Sequence, residues 1–188
     1  MELKASDFTN ISDNFTNVEF KIVDGTLEIS KRSVTLTSAT DSKTYDGTAL
    51  TNSTVTVSGD GFADGEGATY DVTGSQTEEG SSANAFTYTL KEGTKADNYD
   101  ITKTEGTLTV TAVSDKVTVT ITEHSGSYMS DGAEKTVTGY DVSIDNELYT
   151  EADFTFSGNK TATGTDAGSY DMELKASDFT NISDNFTN

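Results

Sequence analysis

Apolar and polar side chains alternate along much of this chain with a period of two. The clearest runs are Val34-Thr-Leu36, Val55-Thr-Val57, Phe86-Thr-Tyr88-Thr-Leu90, Leu108-Thr-Val110, Val117-Thr-Val119-Thr-Ile121 and Tyr170-Asp-Met172-Glu-Leu174. Successive side chains of a strand point to opposite faces, so each run predicts a strand with one buried and one wet face. Threonine suits the wet face of a pleated sheet. Turn clusters punctuate the runs at Asp46-Gly47, Ser58-Gly59-Asp60-Gly61, Asp131-Gly132 and Ser157-Gly158-Asn159. No long stretch carries the i, i+3, i+4 apolar stripe of a helix, and Glu173 to Asn185 has room for one short helical turn. The expectation is an all-β chain.

The pattern repeats at two levels. Residues 1–17, Met-Glu-Leu-Lys-Ala-Ser-Asp-Phe-Thr-Asn-Ile-Ser-Asp-Asn-Phe-Thr-Asn, recur unchanged as residues 172–188, an offset of 171 residues. Such identity means either a near-perfect tandem array with that period or a deliberate duplication. Inside the period lies a weaker repeat. Lys43-Thr-Tyr-Asp-Gly-Thr-Ala-Leu50 aligns with Tyr128-Met-Ser-Asp-Gly-Ala-Glu-Lys135, and Gly74-Ser-Gln-Thr-Glu-Glu-Gly80 with Gly158-Asn-Lys-Thr-Ala-Thr-Gly164. Asp97-Asn-Tyr99 with Glu105-Gly-Thr-Leu-Thr-Val110 aligns with Asp13-Asn-Phe15 and Asp24-Gly-Thr-Leu-Glu-Ile29. The period therefore divides into two related domains. Residues 31–115 form a complete A-type domain. Residues 116–188 form a B-type domain lacking its final strands, and residues 1–30 carry the C-terminal strands of such a B-type domain.

The segments Ser42–Thr51, Val72–Gln76, Asn98–Thr102 and Gly106–Thr111 resemble the YDG/MBG-type repeats of large cell-surface adhesins and stalk proteins of Gram-positive, often gut-dwelling, bacteria. The B-type domain resembles the partner repeat, departing at Tyr128-Met-Ser-Asp131, where the A-type turn reads Tyr-Asp. The resemblance implies tandem Ig-like β-sandwich domains joined end to end. A β-grasp-like repeat is the alternative fold. It further implies an extracellular, wall-attached location and a structural role, with an adhesive module for host glycan or protein as the alternative. It implies no catalytic residues and no cofactor.

Completion of the B-type domain requires Val18, Phe20, Ile22, Leu27 and Ile29, which occupy alternate positions of the two displaced strands. Burying each is worth roughly 1.5–3 kcal/mol, a sum comparable with the whole stability of a small domain. Residues 18–30 run into the A-type domain without a linker, and the B-type domain follows through Ala112-Val-Ser-Asp115. A rod-like stalk gives one chain too few spare residues to fold back on itself. The expectation is donation between chains, a head-to-tail contact that grows an open filament. Either copy of the 17-residue segment could serve at the junction, and the sequence does not choose.

Composition narrows the alternatives. The chain has 188 residues, with 12 Lys and Arg against 32 Asp and Glu for a net charge of −20. Charge of that sign repels phosphate backbones and anionic bilayers, so nucleic acid and membrane insertion are poor expectations and the main expected partner is the chain itself. The absence of cysteine removes disulfides and thiolate chemistry. Asp60, Asp64 and Glu66 offer a weak calcium site whose spacing does not fit a twelve-residue helix–loop–helix template. Lys43 with Asn98 is imaginable as an intramolecular isopeptide pair. The single histidine, His124, stands near Ser125 and Asp131 but without a nucleophile elbow, and an enzyme is not expected. Tyr45, Tyr99, Phe86 and Tyr88 are expected in core or junction packing.

Overall fold

The computed structural model describes residues 2–187. Within them the chain is all-β, with four isolated 3-10 turns and fourteen strands. Eight strands belong to the first half: β1 (Arg32–Ser38), β2 (Asp41–Thr44), β3 (Val55–Gly59), β4 (Ala68–Val72), β5 (Gly80–Ala83), β6 (Phe86–Leu90), β7 (Tyr99–Thr104) and β8 (Thr107–Thr111). They pair only with one another, in the orders β3-β1-β7, β2-β8-β5 and β4-β6.

β1 and β2 are one extended path bent at Ala39-Thr40, and β7 and β8 are another bent at Glu105-Gly106. The two paths run side by side in parallel, Val34 opposite Ile101 before the bend and Lys43 opposite Val110 after it. Where the ladder breaks, buried backbone groups need other partners. The Ser38 hydroxyl supplies two, donating to the Asn84 carbonyl at 2.6 Å and accepting the Gly106 N–H at 2.9 Å. The Asn84 amide donates to the carbonyls of Ala39 and Asn52, each at 2.9 Å.

The alternation sorts this half as expected. Val34, Leu36, Phe86 and Tyr99 form one buried cluster, with Tyr70, Val72 and Tyr88 among the side chains packed on it. Leu50, Leu108 and Val110 form a second, against Tyr45.

Six strands follow: β9 (Val119–Glu123), β10 (Lys135–Thr138), β11 (Tyr140–Ile144), β12 (Phe154–Phe156), β13 (Thr161–Gly164) and β14 (Phe179–Asn181). They form three antiparallel pairs, β11-β9, β10-β13 and β12-β14. Leu36 faces Val57 in β1–β3, and Ile121 faces Val142 in β9–β11, both positions shifted by 85 residues. The weak repeat seen in the sequence is therefore a repeat of strand register. The predicted strand at Tyr170–Leu174 does not form. Its counterpart β6 pairs with β4, but here Glu173 takes φ +58°, which breaks an extended run, and β12 pairs with Phe179–Asn181 instead. Its side chains still pack inward in part, and Met172 is buried.

Residues 2–31 contain one 3-10 turn, Ala5–Asp7, and no strand. No helix among the described residues is long and apolar enough to cross a membrane.

Candidate strand-acceptor site and domain junction

Two arrangements bring potentially functional residues together. The first is the junction between the halves. Val113 leaves β8, and its N–H donates to the Asn185 carbonyl at 2.8 Å while its carbonyl accepts the Thr187 N–H at 3.1 Å. This makes a parallel bridge between Val113 and Phe186. The Asn185 side chain reaches the first half, accepting the Glu79 N–H at 2.7 Å and donating to the Glu78 carboxylate at 2.5 Å. The Phe186 ring lies edge-on to Tyr45 of the first half and Tyr149 of the second, with centroids 6.0 and 5.1 Å away. Burial, and then the carboxylates of Glu78, Asp153 and Asp46, raise the Tyr45 pKa, keeping this phenol neutral. Tyr45 is thus a junction residue; Phe86, Tyr99 and Tyr88 belong to the core.

The second arrangement is an open sheet edge. β1 is flanked by β3 and β7, but among the described residues β9, its counterpart, has a ladder partner only in β11. Beside β9 lies an apolar groove of about 860 Å³, lined among others by Val117, Val119, Ile121, Tyr149, Phe154 and Phe179. A second cavity of about 340 Å³ lies between the Gly126–Ser130 segment and the Ala162–Tyr170 segment. In the first half the corresponding positions are filled by β7, against β1, and by β8, between β2 and β5.

Residues 115–188 match the MBG domain family. The match supports an MBG-type repeat in the half that carries the groove. Searches of curated proteins and of solved structures gave no match.

The five side chains expected to complete the B-type domain meet neither cavity within this molecule. Val18 is exposed, Phe20 and Ile22 are half-buried, and Leu27 and Ile29 are 88% and 86% exposed. Phe20 stacks on Phe8, with centroids 5.7 Å apart. The acceptor residues were not singled out from the sequence, although the Val117-Thr-Val119-Thr-Ile121 alternation marks three of them.

The acidic turn does not gather its carboxylates. Asp60 accepts the Ser33 N–H at 2.9 Å, Glu66 accepts the Tyr99 hydroxyl, and no group of three or more potential ligands converges on one point among the described residues. Lys43 Nζ donates to Asp46 at 2.6 Å and to the Thr48 carbonyl at 2.5 Å, whereas Asn98 is exposed. His124 contacts Asp141 through Nε2 at 3.1 Å and the Thr138 carbonyl through Nδ1 at 3.0 Å. Asp131 instead accepts the Ala133 N–H and Lys135 Nζ, so the Ser125, His124 and Asp131 set is not assembled.

Proposed function

We infer that this chain is a structural repeat unit of a bacterial cell-surface stalk or extracellular fibre, resembling the YDG/MBG-type arrays, and that its copies join head to tail by strand complementation. One observation carries this reading. The same molecule holds two unpaired runs of alternating apolar residues, with Val18, Leu27 and Ile29 exposed and Phe20 and Ile22 half-buried, and an open sheet edge beside an apolar groove. Unpaired edges and uncovered apolar faces are the standing liabilities of β-proteins, and β-addition relieves both at once.

The partition into residues 1–30, 31–115 and 116–188 belongs to the same reading. So does the MBG match at residues 115–188, which supports a repeat module. A spacer acts through length, stiffness and copy number. The junction suits that role, because Val113, Asn185 and Phe186 tie the halves by two backbone bonds, two side-chain bonds and an aromatic contact. The charge of −20 disfavours lateral clumping and leaves end-to-end pairing as the favoured contact.

Sedimentation velocity at rising concentration, with electron microscopy of the same samples, tests the reading. Expected are species that lengthen with concentration and thread-like particles of alternating domains. A strictly monomeric chain at every concentration would sink it.

A further inference from the structure

We propose that the groove beside β9 takes residues 18–23 of a second copy of this chain as a parallel strand, that residues 25–29 of that copy enter the smaller cavity, and that the acceptor's own residues 172–187 stay in place at the junction. The proposal rests on the head-to-tail reading and specifies its seat, direction and register.

The register follows from the internal repeat. Aligning Asp24-Gly-Thr-Leu with Glu105-Gly-Thr-Leu, an offset of 81 against 84 for the Asp13-Asn-Phe15 match, makes Phe15-Thr-Asn17 a three-residue insertion and places Val18, Phe20 and Ile22 at Tyr99, Ile101 and Lys103, and Leu27 and Ile29 at Leu108 and Val110. β7 sets Tyr99, Ile101 and Lys103 opposite Arg32, Val34 and Leu36. The 85-residue shift shared by the β1–β3 and β9–β11 registers carries those positions to Val117, Val119 and Ile121, all of which line the larger groove. Val18, Phe20 and Ile22 thus meet the three apolar side chains of the open edge. The same shift takes Asp41 and Lys43, the β2 partners of Leu108 and Val110, to Gly126 and Tyr128 on the wall of the smaller cavity.

The C-terminal segment points the same way. Phe186 runs parallel to Val113, on the edge that leads to Lys116 and Val117. A donor strand that starts at Val18 runs in that direction; counted on from the Phe186–Val113 bridge, Val18 comes opposite Lys116, so its seat opposite Val117 requires a one-residue bulge between bridge and strand. Residues 172–187 are bound, with Met172 and Phe186 buried, so the incoming residues 1–17 duplicate an occupied ledge and stay outside it.

A cysteine-free chain allows a direct test. The predicted register places Lys21 of one copy beside Thr120 of the next, as Thr102 stands beside Thr35 in the first half, and Lys21 and Thr120 are both exposed. The full-length chain carrying Lys21→Cys and Thr120→Cys is treated with diamide and compared with a Lys21→Cys, Ser143→Cys control, whose second cysteine lies on β11. Expected is a ladder of covalent multimers from the first pair only, reversed by thiol and lost when Phe20→Asp is added. A covalently closed monomer would overturn the second copy as occupant. Association by sedimentation without the Lys21–Thr120 link, or with linking to Ser143 instead, would overturn the seat and register while leaving head-to-tail assembly standing. A chain that stays monomeric throughout would remove both.

Discussion

Phe15 and Phe186 occupy the same place in two identical 17-residue segments, yet Phe15 is 66% exposed and Phe186 is 2% exposed. The local structure around them hardly differs. Both segments form a 3-10 turn, Ala5–Asp7 and Ala176–Asp178, closed by Lys4 N–H to Asp7 at 2.8 Å and Lys175 N–H to Asp178 at 2.9 Å. Asn10 accepts the Ser12 N–H at 3.0 Å and donates to the Phe15 carbonyl at 2.6 Å. Asn181 accepts the Ser183 N–H at 3.1 Å and donates to the Phe186 carbonyl at 3.0 Å. The second copy gains β14 against β12, the bridge to Val113 and the rings of Tyr45 and Tyr149. Short-range hydrogen bonds within a segment travel with its sequence; burial depends on the surface it meets.

The largest expected contrast comes from the two phenylalanines. Phe186→Ala should destabilise the second half by about 3–5 kcal/mol, the usual cost of truncating a buried phenylalanine. Phe15→Ala should stay within about 0.5 kcal/mol, as for exposed positions generally. Denaturant unfolding of each variant measures the difference. Equal effects would mean that both copies share the junction and would erase the contrast.

A second pair compares a filled strand position with an unpaired one. A Cβ on Gly106 would lie 2.3 Å from the Ala39 carbonyl oxygen, whereas nothing stands within 4 Å of the corresponding position on Gly25. Gly106→Ala should cost about 1–3 kcal/mol through overpacking. Gly25→Ala should leave the monomer's unfolding unchanged and shift assembly to higher concentration, since the bound turn would then meet the same crowding. Thermal melts of dilute protein, combined with sedimentation, separate the two effects.

The smallest effect distinguishes the halves by pH. His124 is the chain's single histidine and lies in the second half. Its contact with the Asp141 carboxylate, followed by that with the Thr138 carbonyl, raises its pKa above the ordinary value. A raised folded-state pKa stabilises the fold below the unfolded value of about 6.5 and loses that contribution as pH climbs through the folded value. The second half should therefore melt slightly higher at pH of about 6 than about 8 relative to a His124→Gln variant. NMR titration of His124 should show Asp141→Asn moving the pKa back towards about 6.5. No movement would show that the pair is solvent-screened.

The alternation at Val34–Leu36, Phe86–Leu90 and Leu108–Val110 was legible because each buried face meets a core built mainly from the same kind of pattern. At Tyr170–Leu174 the same alternation failed to produce a strand, since the positive φ of Glu173 interrupts it and β14 takes the ladder with β12. Pairing partners were less legible than strands. The parallel union of β1 with β7 joins residues 67 positions apart, and no local pattern specifies it. Of the candidate site, the donor positions Val18 to Ile29 were readable as apolar alternation without a partner. The groove was not, because Tyr149, Phe154 and Phe179 reach it from three separate loops and strands.

The amino-acid sequence by itself determined the β-class, the turn positions, the two levels of repeat and the hydrogen-bonded turn within each 17-residue copy. These depend on side-chain period and on neighbours a few residues away. Only the tertiary structure decided which copy is buried, which edge of β9 remains open and which residues line the groove beside it. Burial is a relation between two surfaces, and an identical segment acquires it only where the opposing surface exists.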